Sequence, residues 1–168
     1  MEIIEKAKIF AVAAHSAIKQ VRKYTNEPYW VHPQEVADIV ASVPGATENM
    51  IAAAHLHDTV EDTGVTIEVI RAEFGIDIAE LVNWLTDISK PEDGPRWYRK
   101  KMDREHTAQA PAEAMTIKLA DLISNSRSIM EHDPKFAKVY LEEKRLLLAV
   151  MTKGDPGLHA EASRYVMG

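Results

Sequence analysis

The stretch Ile51-Ala52-Ala53-Ala54-His55-Leu56-His57-Asp58-Thr59-Val60-Glu61-Asp62 decides how this chain is read. An apolar, alanine-rich run with the character of a buried helix carries four titratable groups, His57, Asp58, Glu61 and Asp62, out of the core. On a continuing helix Glu61 falls four residues after His57 and three after Asp58, and Asp62 falls four after Asp58. All four groups then crowd one side. Three carboxylates at that density repel one another unless a cation holds them, and carboxylate oxygen with neutral imidazole is a usual donor set for a divalent metal. His55 points to the opposite side of the same helix and is expected to be structural.

Outward from this stretch the pattern stays helical. Residues 3 to 22 place Ile3, Ala7, Phe10, Ala14 and Ile18 at helical spacing, and the polar run Lys23 to Glu27 ends it. Pro28 and Pro33 bracket Tyr-Trp-Val-His, with Pro33 suited to open a helix over Gln34 to Val43. Pro44-Gly45 breaks the chain, and Thr47 is placed to cap the helix that carries the His-Asp pair. Thr66 caps a short helix that Gly75 ends. Ile76 to Ser89 reads as a buried helix and Lys90 to Pro95 as loop. Further helices follow over 96 to 107, after Pro111, after Asp133-Pro134 and after Pro156-Gly157. No strand-like alternation persists. The reading is all-α, a single-domain bundle of about eight to nine helices over residues 1–168.

Composition narrows the function. With 168 residues, 46% hydrophobic and 27% charged, the chain suits one soluble domain, and no apolar run approaches a membrane span. The acidic start, Met1-Glu2-Ile3-Ile4-Glu5, is unlike a secretory signal, so a cytoplasmic protein is expected. The absence of cysteine excludes disulfides and thiolate chemistry, leaving N and O donors for any metal. A net charge of −6 argues against nucleic acid and membrane surfaces as partners. It leaves room for a small phosphorylated molecule held by a local basic patch.

Two more candidate ligands lie apart from the His-Asp pair. His32 stands at a helix entrance before Pro33, and Asp121 interrupts the apolar run Ile117-Lys118-Leu119-Ala120-Asp121-Leu122-Ile123. A buried aspartate costs several kcal/mol unless it is paired or ligated. His32, His57, Asp58 and Asp121 form a mixed N/O set that suits a six-coordinate ion such as Mn2+ or Fe2+, without demanding zinc. Taken singly, His32 reads as a structural histidine and Asp121 as an ion-pair partner of Lys118. Asn125, Ser128 and Lys118 share the Asp121 face. Glu61 and Asp62 remain for acid–base work on a water that a metal acidifies. Basic residues gather at Arg22-Lys23 and in Arg96-Trp97-Tyr98-Arg99-Lys100-Lys101-Met102-Asp103-Arg104, either a solvated face or an anion contact.

Three segments together resemble a known family. They are Arg22-Lys23-Tyr24-Thr25-Asn26-Glu27-Pro28-Tyr29-Trp30-Val31-His32-Pro33, the run from Ala52 to Thr63, and Lys118-Leu119-Ala120-Asp121-Leu122-Ile123-Ser124-Asn125, with Phe74-Gly75 at the expected distance. In this order they resemble the hydrolase domain of RelA/SpoT-type proteins of the HD superfamily, over roughly residues 5 to 130. The resemblance implies a Mn2+-dependent enzyme, with Mn2+ ahead of Fe2+, Zn2+ or Mg2+. It would remove the 3′-pyrophosphate of the guanosine alarmones ppGpp and pppGpp to give GDP or GTP. It implies His32, His57, Asp58 and Asp121 as metal ligands and Glu61, Asp62 and Asn125 as catalytic groups. Arg22, Lys23, Arg127 and Ser128 would contact the guanine nucleotide, and Lys118 joins them as a substrate contact through its place on the Asp121 face. Rival readings are an HD phosphatase for another nucleotide (a deoxynucleoside monophosphate or the 2′-phosphate of NADPH) and a non-catalytic alarmone-binding module.

Overall fold

The computed structural model describes residues 1–167, and its helices group into two compact units, residues 1–86 and residues 87 onward. Among the described residues there are nine helices of eight residues or more, one single-turn helix and no strand. An isolated β-bridge pairs Val21 with Pro28.

In the first unit, α1 (Ile3–Ala17), α2 (Val31–Ala41) and α6 (Ile76–Leu85) pack around α3 (Glu48–Leu56). The α3 sequence explains its central place. Ala52, Ala53, Ala54 and Leu56 are fully buried, and three successive alanines let neighbouring helices approach closely. Ala7 and Ala11 of α1, Val36, Ala37 and Val40 of α2, and Ile78, Ala79, Val82 and Leu85 of α6 complete this core. Thr47 caps α3 by accepting from Met50 N, and Thr66 caps α5 (Ile67–Phe74) by accepting from Val69 N. Gly75, at φ 88°, supplies the left-handed residue that ends α5.

Three boundaries differ from the sequence expectation. First, α1 stops at Ala17 instead of running to residue 22, because Lys19 turns at φ 53° and Gln20 N bonds back to His15 O. Second, α2 starts at Val31, two residues before Pro33. Third, α6 ends at Leu85 instead of Ser89. There Thr86 adopts an extended backbone and its hydroxyl donates to Val82 O at 2.8 Å.

The second unit contains a 3-10 turn (Pro91–Asp93), α7 (Arg96–Thr107), α8 (Ala112–His132), α9 (Pro134–Val150) and α10 (Pro156–Met167). Its core helix is α8, whose Met115, Ile117, Leu119, Ala120, Leu122 and Ile123 are buried, and α9 and α10 pack on it. Asp133 caps α9 through Phe136 N, with Pro134 in the first turn. Asp103 of α7 is buried but satisfied, accepting from Ile88 N, Ser89 N and Ser89 Oγ at 3.0, 2.9 and 2.6 Å. No helix among the described residues is long and apolar enough to cross a membrane.

Candidate active site

The expected continuous helix through the His-Asp stretch does not form. Helix α3 ends at Leu56, His57 is its C-cap, Asp58 sits at φ −101°, ψ −1°, and a single turn, α4 (Thr59–Asp62), follows. The buried Thr59 hydroxyl donates to Leu56 O at 2.8 Å, satisfying a carbonyl that an uninterrupted helix would bond along its backbone. The break sends the acidic groups to different neighbours. His57 and Asp58 meet His32, while Asp62 meets Gln20.

His32 and His57 are buried, and one ligand atom from each lies within 4.8 Å of the others and of an Asp58 oxygen. Asp58 Oδ2 is 3.1 Å from His57 Nε2 and 3.6 Å from His32 Nε2. His57 Nδ1 is 2.7 Å from the Ala54 carbonyl. A carbonyl only accepts, so Nδ1 carries the proton, and in the neutral ring Nε2 faces the carboxylate with its lone pair. Two acceptors at this distance repel unless a cation lies between them. A first-row divalent ion, bonded at about 2.1 Å to each donor, holds ligands no more than about 4.2 Å apart. The histidine–carboxylate separations fit that limit, so the donor set fits a divalent metal.

The loop 20–29 supplies groups that the sequence reading did not identify as part of the site. Arg22 N bonds Glu27 O, Tyr29 N bonds Gln20 O, and Asn26 takes φ 59°, a conformation asparagine tolerates. The closed loop aims Tyr29 at the cluster, where its hydroxyl donates to Asp58 Oδ2 at 2.6 Å. Gln20 reaches both ways, with Oε1 2.8 Å from His15 Nδ1 and Nε2 donating to Asp62 Oδ2 at 3.2 Å. His15 is fully buried, its ring tilted against that of Tyr29 with centroids 4.8 Å apart. Only the Tyr29 position hinted at this arrangement, through its place beside Pro28 and His32.

Asp62 is exposed as a residue, yet its carboxyl end is shielded enough to be pushed above the ordinary aspartate value. Burial is the main cause and the Asp58 charge the second, while the Gln20 hydrogen bond opposes them. Glu61 is exposed. His55 is buried on the far side of α3, and burial with the Lys8 charge lowers it to about 4, so it is neutral and structural. At the loop, Arg22 is half-buried and Lys23 is exposed, with its ammonium over the Tyr24 ring.

The remaining candidates belong to the second unit. Asp121 is buried, accepts from Asn125 Nδ2 at 3.0 Å and lies 4.0 Å from Lys118 Nζ. The face shared by Lys118, Asp121 and Asn125 is therefore real, and Ser128 is half-buried one turn on. Arg127 is rotated off that face. Its guanidinium donates to Tyr165 and Glu161 at 2.8 and 2.9 Å, tying α8 to α10, and would reach a nucleotide only by leaving both.

A profile of the HD domain family matches residues 7–149, which run through both units. A guanosine-3′,5′-bis(diphosphate) 3′-pyrophosphohydrolase of Xenopus tropicalis is 37% identical over 136 residues, 79% of this chain and 73% of that protein. The enzyme of the same name from Aquifex aeolicus is 37% identical over 154 residues, which are 90% of this chain but only 20% of that longer protein. Among solved structures, a metazoan ortholog of SpoT described as hydrolysing ppGpp superposes with a TM-score of 0.85 at 25% identity. That match covers 98% of this chain and 94% of the other.

Proposed function

From a chain that belongs to the HD domain family, we propose a divalent-metal hydrolase that removes the 3′-pyrophosphate of ppGpp or pppGpp. Both units would act as one hydrolase domain, with Mn2+ as the ion and the cytoplasm, where free guanine nucleotides are handled, as its compartment. The observation that carries the reading is the His32, His57 and Asp58 donor cluster with a carboxyl of raised pKa beside it. The names of the relatives support the substrate.

His32, His57 and Asp58 would hold the ion, with Asp121 as fourth ligand. Bound there, the ion supplies Lewis acidity toward water and phosphoryl oxygen. The protein's own groups do the rest. Asp62 and Glu61 take the proton from the attacking water, whose oxygen joins the phosphorus as the ribose 3′-oxygen–phosphorus bond breaks. The proton taken from the water returns from the carboxyl pair to that 3′-oxygen as it leaves, giving GDP or GTP and pyrophosphate. Burial suits Asp62 to this task, since a raised carboxyl is a stronger base near neutral pH than an ordinary one. Asn125, bonded to Asp121, would fix the attacking water or the scissile phosphate. Arg22, Lys23, Lys118, Ser128 and a released Arg127 would contact the nucleotide.

The test is turnover over a nucleotide panel with pyrophosphate and orthophosphate assayed separately. Pyrophosphate and GDP formed one to one from ppGpp, and lost together with the metal in His57→Ala, are expected. Orthophosphate from a deoxynucleoside monophosphate or NADPH would point to the rival phosphatase. Tight ppGpp binding without product would point to a binding module.

A further inference from the structure

We propose that the cleft lined by α7, α8 and α9 is a binding site for a diphosphate group, with Lys144 as its central cation. The site stands on the cations that line the cleft; only the identity of the molecule that brings the diphosphate rests on the hydrolase reading.

The cleft is partly open to solvent, and Lys100, Arg104, Lys118 and Lys144 all line it. Asp87, Asp103 and Glu143 line it as well, and the last two carboxylates are committed elsewhere. Asp103 accepts three hydrogen bonds from residues 88 and 89, and Glu143 takes a two-pronged bond from Arg96 at 2.6 and 3.0 Å. Asp121 is shared by Asn125 and Lys118. Among the described residues, no ion pair is formed by Lys100, Arg104 or Lys144. Lys144 is half-buried, with its ammonium over the Tyr140 ring at 5.1 Å, and burial is the main influence on its charge.

A desolvated ammonium beside two further cations is costly to hold, and the compensation with the right sign is an anion. Three cations without carboxylate partners match the three to four negative charges of a diphosphate better than the charge of a monophosphate. Burial, then the Lys118 charge, bring Lys144 down to about 8, with Lys100 acting in the same direction and Asp121 and Asp87 opposing. Lys144 is therefore charged at neutral pH, and the cleft loses that central charge as pH rises.

Calorimetric titration of the whole chain, with chelator present so that no metal takes part, tests the site with inorganic pyrophosphate, orthophosphate and GDP. Wild type is expected to bind pyrophosphate more tightly than orthophosphate. Lys144→Met should weaken pyrophosphate by about tenfold or more, the effect of one lost hydrogen bond to a charged group. Lys144→Arg should stay within about threefold of wild type. From pH 7 to 9 the protonated fraction of Lys144 falls about tenfold, so wild type should lose up to about tenfold in affinity relative to Lys144→Arg. GDP weakened in parallel identifies the non-scissile 5′-diphosphate as occupant; pyrophosphate weakened alone identifies the released product. Lys144→Met removes a desolvated charge, so its melting temperature should not fall. Should it fail to fold, the pH comparison with Lys144→Arg decides. No pyrophosphate binding by wild type, a loss under threefold in folded Lys144→Met, or equal pH dependence of wild type and Lys144→Arg overturns the proposal. Because no turnover is measured, these outcomes are independent of whether ppGpp is the substrate.

Discussion

Replacing Tyr29 with phenylalanine removes a single oxygen from the candidate metal centre and leaves the ring against His15 and His32 at 4.8 and 5.9 Å. The deleted hydroxyl donates to Asp58 Oδ2 at 2.6 Å, a short bond to an ionised acceptor. Such bonds contribute about 1.5–3 kcal/mol. Here the bond also aims the oxygen that lies 3.1 Å from His57 Nε2 and 3.6 Å from His32 Nε2. Losing a group that orients a ligand typically weakens metal binding by about 10–100-fold. The Mn2+ dissociation constant of Tyr29→Phe, measured by calorimetry, should rise within that range. Turnover at saturating Mn2+ should return to within about threefold of wild type, because the hydroxyl serves the ligand and not the reacting atoms. A metal affinity within twofold of wild type would show that Asp58 is held without Tyr29. A rate that stays low at saturating metal would move Tyr29 into the chemistry itself.

Three other outcomes follow from the same geometry. Gln20→Leu removes the hydrogen bond that holds Asp62 down, so its carboxyl rises further, and since the ionised form is the base, activity should fail at higher pH on the acid side. An acid limb that stays put or moves down in a kcat–pH profile would exclude Asp62 as the base. Lys144 falls from 10.5 unfolded to about 8 folded, so the unfolded chain binds the extra proton between those values and stability rises with pH across that window. Urea unfolding of wild type against Lys144→Met should show Met ahead by at most about 3 kcal/mol at pH 7, with the gap closing toward pH 10.5, and a gap independent of pH would remove the assignment. Gly154→Ala would put a methyl group 2.6 Å from Leu119 Cδ1 and 3.4 Å from the Met115 backbone, costing about 1–3 kcal/mol of stability, and an unchanged melting curve would mean that α8 gives way freely.

What the sequence makes legible follows the range of each interaction. Thr47, Thr66, Gly75 and the Asp133-Pro134 pair mark helix ends through bonds and angles that span a few residues, and the structure places all of them where the pattern does. Helix ends set by side-chain competition are harder to read. Thr86 and Thr59 are ordinary helix residues by propensity, and only their hydroxyl bonds to Val82 O and Leu56 O reveal where α6 ends and α3 breaks. His57 and Asp58 are legible because they are adjacent, and His32 because it is framed by prolines. Gln20 and His15 are not, since what makes them part of the site is the closure of loop 20–29, which has no period.

That closure also explains why a helix would break where it carries its chemistry. A continuous helix would align Asp58, Glu61 and Asp62 on one side as three like charges sharing one neighbourhood. Breaking at His57–Asp58 separates their duties. Asp58 turns to two imidazoles and a phenol, while Asp62 turns to an amide that links it to a buried histidine. The two carboxylates still feel each other, and burial, with that repulsion second to it, keeps Asp62 basic. A site that needs one carboxylate ionised toward a cation and a second able to take a proton is therefore better served by a broken helix than by a regular one. The Thr59 hydroxyl makes the break affordable by satisfying the carbonyl it frees. On this reasoning Thr59→Val, similar in shape but without the hydroxyl, should disturb Mn2+ affinity and the acid limb of the rate profile together, although Thr59 belongs to neither the ligand set nor the base. If only stability changes, the break is held by the surrounding core and not by this bond.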